Sequence, residues 1–389
     1  MKIAVVSTGL DHIKRGVESW AASMADGLAA RGCDVTLFKG SGERRYEYEQ
    51  VLACLPRHSP WNRRAFAATS RLGGWRFGIG LDYDIEQLSA APSVLLRLRR
   101  HRFDLVHTQD AFLARLLDRA GRAGWHGSKV IFANGTAEPP HLLAPLSYVQ
   151  ELSPPYFAEH SKTRDARELF LVPNSVNVNR FVPGERAQAR RHLGLPDDGP
   201  IVLSVGAIKG PRKRMDWLIR EFARTAAGSR LVIAGAIERE SEALVRSAKD
   251  LLGDRLVILA DRDHAEMPAI YRAADLFVLC AVDEVFGIAF LEAMAAGLPC
   301  LGHRYPVTQW VIGDGGLTVD MTREGDLAAA LERLLADDDA RRSLGRAARE
   351  RACRTFSDDV IVAETMKMYD AVMAPTPPQA LRQTLTASL

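Results

Sequence analysis

The chain has 389 residues, 47% of them hydrophobic and 25% charged, which is enough for two α/β domains that each bury a core. The formal net charge of +3 is too small to indicate a nucleic-acid-binding protein, so we expect no nucleic acid partner. The five cysteines are widely spaced and form no CxxC pair, which argues against a disulfide framework or a zinc site and favours the reduced cytoplasm.

Membrane insertion is not expected. No apolar run approaches the length that spans a bilayer. The N-terminus passes directly into a predicted strand, without the apolar core of a signal peptide. We therefore expect a cytoplasmic protein.

The first residues predict a βαβ unit. A β-forming run over residues 2–8 precedes apolar residues at helical spacing over 17–31, and a second strand follows at 35–38. This arrangement opens a parallel sheet. The loop between strand and helix contains Gly16, which could contact an anion or a sugar hydroxyl at the helix N-terminus or could simply allow a tight turn.

A basic and aromatic stretch follows. Between Arg57 and Arg76 the sequence contains five arginines, two tryptophans and no acidic residue. This composition suits peripheral contact with an anionic membrane surface or with an acidic acceptor. It is also the composition of a solvated loop and helix face, and both interpretations stay open.

Asp82 and Asp84, separated by one residue, have the spacing of a metal-binding Asp-x-Asp pair. They follow Gly-Ile-Gly-Leu rather than a well-formed strand, and aspartate is common in turns. We expect no metal at this position.

Polar residues follow two further predicted strands, at 105–107 and 129–133, which are separated by a helix over 111–123. Ligands of open parallel sheets bind at the carboxyl ends of the strands, so His107 and Asn134 fall on the functional edge. Asn134 can hydrogen-bond a sugar hydroxyl. For His107 a structural role at the strand end is favoured.

A second βα series predicts a second doubly wound parallel sheet. Its strands are expected at 201–206, 231–235, 255–260, 275–280 and 298–302. A polar linker with Pro and Gly separates the two series. We expect the first domain to comprise residues 1–178 and a C-terminal segment, 357–389, and the second domain to comprise residues 179–356.

The loop after the first strand of the second series is strongly basic. Lys209, Arg212, Lys213 and Arg214 occur within six residues. A diphosphate bound there would relieve their mutual repulsion. A solvated run of charges is the alternative.

The most informative stretch covers residues 280–299, Cys-Ala-Val-Asp-Glu-Val-Phe-Gly-Ile-Ala-Phe-Leu-Glu-Ala-Met-Ala-Ala-Gly-Leu-Pro. It leaves a buried strand and enters a helix after Gly287. Free N–H groups at Gly287, Ile288 and Ala289 suit a phosphate or diphosphate. The carboxylates of Glu284 and Glu292 would repel a phosphate, and they suit the hydroxyls of a sugar and of a ribose.

With its surrounding frame, this glutamate pair resembles the signature of the retaining family 4 glycosyltransferases of GT-B fold. The resemblance implies two Rossmann-like doubly wound parallel-sheet domains facing across a cleft. It implies an enzyme that moves a hexose from a nucleotide-diphosphate sugar to a hydroxyl acceptor, without a metal or other cofactor. The last helix, with Tyr369, is expected to pack on the first domain.

The resemblance also implies roles for individual residues. Glu284, Lys213 and Asn134 would be catalytic, with Glu284 on the donor sugar and Lys213 on the departing diphosphate. The residues expected to bind the nucleotide sugar are Gly16, Arg212, Gly287, Ile288, Ala289 and Glu292.

Several positions depart from the family pattern, and three of them bear on the expected site. Arg15 stands where the first of two glycines is usual, Asn134 where relatives carry a histidine, and Ala207 where the family has an arginine. An asparagine cannot take up a proton near neutral pH. Two alternatives therefore stay open, a nucleotide-sugar-binding subunit without turnover and a sugar-nucleotide epimerase. The arginine-rich segment favours a lipid-linked or cell-envelope acceptor over a small molecule.

Overall fold

A computed structural model of the chain describes residues 1–13, 16–165, 168–210, 212–237 and 241–374. The backbone divides into two units, Met1–Asn174 with Asp358–Leu389, and Ser175–Ser357. The prediction of two parallel-sheet α/β domains is confirmed. The division falls at residue 174, four residues before the boundary expected at 178.

The described residues of the first unit form seven strands. Its elements are β1 (Lys2–Ser7), α1 (Gly16–Ala30), β2 (Asp34–Lys39), β3 (Glu49–Val51), α2 (Pro60–Arg71), α3 (Asp82–His101), β4 (Leu105–Thr108), α4 (Ala111–Arg122), β5 (Lys129–Ala133), α5 (Pro140–Leu143), β6 (Tyr148–Glu151), α6 (Pro154–His160) and β7 (Leu169–Leu171).

Six strands occur in the part of the second unit that the structure describes. Its elements are α7 (Arg186–Leu193), β8 (Ile201–Val205), α8 (Met215–Ala223), β9 (Arg230–Gly235), α9 (Ser241–Leu252), β10 (Leu256–Ala260), α10 (Met267–Ala273), β11 (Leu276–Leu279), α11 (Ile288–Ala295), β12 (Cys300–His303), α12 (Pro306–Ile312), β13 (Gly316–Val319), α13 (Asp326–Ala336) and α14 (Asp338–Thr355). The last helix, α15 (Asp358–Met373), belongs to the first unit.

Both sheets are parallel, with the order β3-β2-β1-β4-β5-β6-β7 in the first unit and β10-β9-β8-β11-β12-β13 in the second. In each sheet the chain winds outward in one direction and then returns to the centre and winds outward in the other. The direction changes between β1 and β4 and between β8 and β11. Ligands of doubly wound folds bind at these switch points, beyond the carboxyl ends of the strands.

The core of the first unit lies on both faces of its sheet. Along β1, Ile3 and Val5 join one buried cluster while Ala4 and Val6 join another, because successive side chains of a strand point to opposite faces. A strand covered on both sides by helices is apolar at nearly every position. This is why residues 2–8 show no alternation of polar and apolar side chains.

The C-terminal helix packs on the first unit, as the family resemblance implied. It lies against α1, where a Cβ on Gly27 would come within 2.5 Å of the Val362 side chain. The Tyr369 hydroxyl lies 2.7 Å from Nδ1 of His107. The glycine on α1 therefore allows the two helices to approach closely.

The longest helix of the first unit, α3, was not predicted. Asp84 lies in its first turn and accepts hydrogen bonds from the backbone N–H groups of Gly80 and Leu81, at 2.9 and 2.8 Å. Acidic side chains at this position stabilise a helix start. Asp82 and Asp84, considered above as an Asp-x-Asp pair, thus begin a helix.

Among the described residues, no helix combines the length and the apolar composition that crossing a membrane requires.

Candidate functional site

Two loops at the switch point of the second sheet bring Lys213 and Glu284 together. Lys213 lies on the loop after β8, and Glu284 lies on the loop after β11. The Lys213 Nζ is 2.7 Å from the Glu284 Oε2. The two side chains are 30% and 15% exposed, so this is a partly solvated ion pair rather than a core contact.

The backbone around Lys213 is unusual. Arg212 and Arg214, its two neighbours, have left-handed φ angles of +63° and +48°. Arg214 is held in place because its guanidinium donates to the Met321 carbonyl at 2.7 Å and lies 4.5 Å from the Trp217 ring centroid. Arg212 is exposed to solvent. Arg214 therefore stabilises the loop, whereas Lys213 and Arg212 are accessible to a ligand.

Gly287 forms the N-cap of α11. Its φ is +82°, and a Cβ there would lie 2.7 Å from the Phe290 ring and 3.1 Å from Cγ of Glu284. Only glycine avoids both the backbone strain and the steric overlap. Ile288 and Ala289 follow as the first two helical residues and are partly exposed. The N–H groups of a first helical turn have no acceptor within the helix, so they can bind an anion.

Glu292 projects from the second turn of α11 towards α10. Its Oε2 accepts a hydrogen bond from the Tyr271 hydroxyl at 2.7 Å, and its Oε1 lies 3.9 Å from Nε2 of His264. Burial raises the pKa of Glu292 to about 7, and the bond from Tyr271 opposes this rise. Tyr271 and His264 were missed by the sequence analysis, because neither belongs to a recognisable motif.

In the first unit, ion pairs anchor the loop between β1 and α1. The Lys39 Nζ, which is buried, lies 2.6 Å from a carboxylate oxygen of Asp11, and the Nε2 of His12 lies 2.6 Å from Glu86 Oε2. Gly16, at the end of this loop, is the exposed first residue of α1. Arg15, which was singled out above, lies outside the described residues.

Arg57 is buried, which corrects part of the membrane-contact hypothesis. It is 5% exposed, and its guanidinium contacts Glu86 at 2.9 Å and Glu18 at 3.3 Å and lies 4.0 Å from the centroid of the Tyr83 ring. The pKa of Glu86 is lowered because hydrogen bonds from His12 and Arg57 outweigh the opposing effect of burial. An arginine neutralised in this way cannot reach a membrane surface or an acceptor.

Asn134 is 1% exposed and bonded within its own unit. Its amide donates to Oε1 of Glu151 at 3.0 Å, and its carbonyl oxygen accepts from the backbone N–H of Glu138 at 2.7 Å. The same Glu151 oxygen pairs with Nδ1 of His160 at 2.7 Å. The side chain thus holds the turn after β5 and links it to a buried Glu–His pair that the sequence analysis did not identify.

His107 is fully buried, and its hydrogen bond to Tyr369 occupies Nδ1. Burial lowers the pKa of His107 to about 3. The imidazole is therefore neutral at physiological pH. This agrees with the structural role favoured from the sequence.

No three His, Cys, Asp or Glu side chains are grouped as a metal site would require in the parts of the chain that the structure describes.

Comparison with known proteins identifies the family. The sequence model of the glycosyl transferases group 1 matches residues 185–351, and that of glycosyltransferase family 4 matches residues 14–157. The D-inositol 3-phosphate glycosyltransferase of Acidothermus cellulolyticus is 30% identical, over 89% of this chain and 83% of its own. The chain belongs to the family 4 glycosyltransferases.

Other glycosyltransferases of this family match over a shorter range. The D-inositol 3-phosphate glycosyltransferase of Salinispora arenicola is 31% identical over 56% of this chain and 52% of its own. The Nocardia farcinica protein of the same name is 34% identical over 46% of this chain and 43% of its own. The chain thus spans about half the length of these relatives.

Solved structures confirm the GT-B fold. Sucrose-phosphate synthase from Thermosynechococcus elongatus superimposes with a TM-score of 0.76 at 22% identity, covering 96% of this chain and 100% of its own. Anabaena HepE, in complex with UDP and glucose, superimposes with a TM-score of 0.74 at 15% identity. The match covers 95% of this chain and 99% of the HepE chain. At these identities the likeness shows the fold alone.

Proposed function

We propose that this chain is a retaining glycosyltransferase that moves a hexose from a nucleotide-diphosphate sugar to a hydroxyl acceptor. The observation that carries the proposal is the ion pair of Lys213 with Glu284, 2.7 Å apart at the switch point of the second sheet. Glu284 lies on the loop that leads into the glycine-initiated start of α11, and Lys213 contacts it from the loop after β8. A cation, a carboxylate and free N–H groups are thereby gathered at one sheet edge.

The diphosphate would bind at the start of α11. In the proposal its oxygens accept hydrogen bonds from the N–H groups of Gly287, Ile288 and Ala289, where the helix dipole also favours negative charge. Lys213 neutralises the leaving group, and the exposed Arg212 supplies a second cation in place of the family arginine replaced by Ala207. These charges stabilise the leaving diphosphate without a metal or other cofactor.

The two glutamates would bind hydroxyl groups. Glu284 accepts from the transferred sugar, and Glu292 accepts from the ribose, with Tyr271 orienting its carboxylate. When a phosphate group takes Lys213 as its partner, the Glu284 carboxylate is released to accept from the sugar. Loss of a partly exposed ion pair costs about 0–1 kcal/mol, which ligand contacts readily offset.

The acceptor would bind to the first unit near Gly16. Its hydroxyl oxygen bonds to the anomeric carbon as the bond from that carbon to the phosphate oxygen breaks, on the same face of the sugar. The acceptor proton passes to the phosphate oxygen, so no protein base is required. We propose that Asn134 acts by holding the turn after β5, since its amide is already bonded to Glu151.

The acceptor class follows from the basic segment after β3. We propose a lipid-linked or cell-envelope acceptor and a cytoplasmic protein that contacts the inner face of the membrane peripherally. The four arginines that remain exposed there support this acceptor class over a small molecule.

The test begins with ligand binding. UDP, GDP, ADP and their sugars are screened by thermal shift on the full chain, because a ligand that binds only the native state raises the melting temperature. Transfer and donor hydrolysis are then measured with the sugar that binds. Glu284→Ala is expected to lower kcat by about 100-fold or more. Asp283→Ala, an exposed acid on the same loop, is the matched control and should retain wild-type turnover.

A second function is favoured by one observation. Ala207 replaces the family arginine, and a chain that lacked enough positive charge would bind the nucleotide sugar without turning it over. Binding without transfer or hydrolysis in the wild type would support this role and contradict the enzymatic proposal. Equal turnover in Glu284→Ala and Asp283→Ala would contradict the proposed site.

A further inference from the structure

One side of α2 carries an exposed row of aromatic and basic side chains. Residues three or four positions apart lie along one face of a helix. This spacing relates Trp61, Arg64, Ala68, Arg71 and Leu72. Trp61 is 66% exposed and Leu72, just after the helix, is 85% exposed. Several large apolar groups exposed close together, unlike a single exposed one, indicate an interaction surface.

A second exposed tryptophan lies just beyond the helix. Trp75, in the 3₁₀ turn that follows, is 66% exposed, and the guanidinium of Arg76 lies 5.2 Å from the centroid of its ring. Arg64 lies similarly over Trp61, at 5.0 Å. We call Trp61, Arg64, Arg71, Leu72, Trp75 and Arg76 the basic–aromatic face. No acidic residue occurs between residues 57 and 81, so its charge is not balanced locally in the sequence.

The opposite side of α2 is firmly attached to the first unit. Asn62 is buried, and its amide donates to the Leu55 carbonyl at 2.9 Å and to the Asp82 carbonyl at 3.1 Å. The Ser59 hydroxyl caps the helix by accepting from the Asn62 N–H at 3.2 Å. The helix is thereby held with its polar anchor inward and its tryptophan and arginines outward.

We propose that the basic–aromatic face docks onto the headgroup layer of an anionic membrane. Three arginines complement a negatively charged surface, and their aliphatic stems tolerate the apolar side of the interface. Tryptophan rings, with an apolar body and a polar N–H, favour the same layer. The inference rests on the membrane-contact part of the proposed function and deepens it, because it assigns the contact to named residues and excludes the buried Arg57.

The docking requires two kinds of contact together. Electrostatic attraction falls off within about a Debye length of the surface and weakens with salt. Insertion of Trp61, Leu72 and Trp75 removes apolar area from water and does not depend on salt in this way. Binding is therefore peripheral and reversible, and it is specific for anionic lipid.

The test measures co-sedimentation of the full chain with vesicles. One set contains equal parts of phosphatidylglycerol and phosphatidylcholine, and the other contains phosphatidylcholine alone. We expect binding to the first set only. Arg64→Ala with Arg71→Ala should lower the partition coefficient by roughly 25-fold, since each arginine contributes about fivefold. Trp61→Ala with Trp75→Ala should lower it about tenfold or more.

Matched variants make the result specific. Trp125 is 57% exposed on the same unit and has the Arg99 guanidinium 5.4 Å from its ring centroid. Trp125→Ala should leave vesicle binding unchanged. Arg64→Lys with Arg71→Lys should largely retain it, because the charge is preserved. Unchanged circular dichroism and melting temperature would show that each variant is folded.

Several outcomes would overturn the proposal. Binding that does not depend on phosphatidylglycerol, equal loss in Trp125→Ala, or wild-type binding in both double variants would each do so. Retention on a soluble polyanion without vesicle binding would assign the face to an acidic macromolecule instead. Because vesicle binding needs no sugar donor, Glu284→Ala should bind vesicles normally, so failure of docking is distinguished from failure of the proposed transferase activity.

Discussion

The switch points of the two sheets carry charged residues in different environments. In the first unit, Glu86 and Arg57 are 0% and 5% exposed and contact each other at 2.9 Å, with His12 and Glu18 completing the cluster. In the second unit, Lys213 and Glu284 are 30% and 15% exposed and contact only each other among the ion pairs that the structure describes. The same position in two similar folds is therefore used in two ways.

This difference separates a structural role from a binding role. Buried charges depend on their protein partners, because an unpaired buried charge costs several kcal/mol. A partly solvated pair gains little from its partner and can exchange it for a ligand group at low cost. The second unit therefore presents groups that are available for a substrate, whereas the first unit uses its charges to hold the loop that carries Gly16.

The largest expected effect tests this contrast directly. Arg57→Ala removes the buried guanidinium that contacts Glu86 and Glu18, and it should lower the free energy of unfolding by about 3–5 kcal/mol. Lys213→Ala should lower it by less than about 1 kcal/mol and should mainly reduce turnover. Denaturant unfolding measures both, with the exposed Arg63→Ala as the control. Equal losses for Arg57→Ala and Lys213→Ala would remove the distinction between the two sites.

The second prediction concerns Glu292, whose pKa of about 7 lies above the ordinary value of 4.5. Between these two values the folded protein binds a proton that the unfolded chain has released, so the stabilising contribution of Glu292 is complete below pH 4.5 and is lost as the pH rises through 7. Glu292→Gln removes this cost and should raise the free energy of unfolding at pH 8 by about 3 kcal/mol, with little effect at pH 4.

The control for Glu292 is an exposed glutamate of the same unit. Glu332→Gln, on α13, should change stability little at either pH. If Glu292 binds a ribose, the stabilised Glu292→Gln variant should also show a smaller thermal shift with the nucleotide. If Glu292→Gln is more stable but the nucleotide raises its melting temperature as much as that of the wild type, the proposed contact between Glu292 and the ribose is contradicted.

The smallest expected effect comes from the buried pair of Glu151 and His160. The hydrogen bond to Glu151 raises the pKa of His160, against the effect of burial. The stabilisation is complete below the ordinary pKa of 6.5 and is lost as the pH rises through the raised value. Melting temperatures of the wild type should therefore fall across this range, and those of His160→Gln should depend less on pH. His192→Gln, at an exposed position, should retain the wild-type slope.

Much of the fold could be predicted from local patterns. The strand over 129–133 has the observed bounds, because a buried parallel strand is a short continuous run of apolar residues. The helix α3 was missed because Pro92 and a run of arginines obscure its pattern. The strands β3, β6 and β13 were also missed, since strands of three or four residues carry little signal.

Within the candidate site, the sequence alone determined the glycine-led start of α11 and the presence of Glu284 and Glu292, because their spacing lies within one continuous stretch. Only the tertiary structure decided that Lys213 pairs with Glu284, that Tyr271 binds Glu292, and that Arg57 is buried. These contacts join residues from 21 to 71 positions apart. Burial and pairing depend on which elements pack together, and no local pattern of residue types specifies that packing.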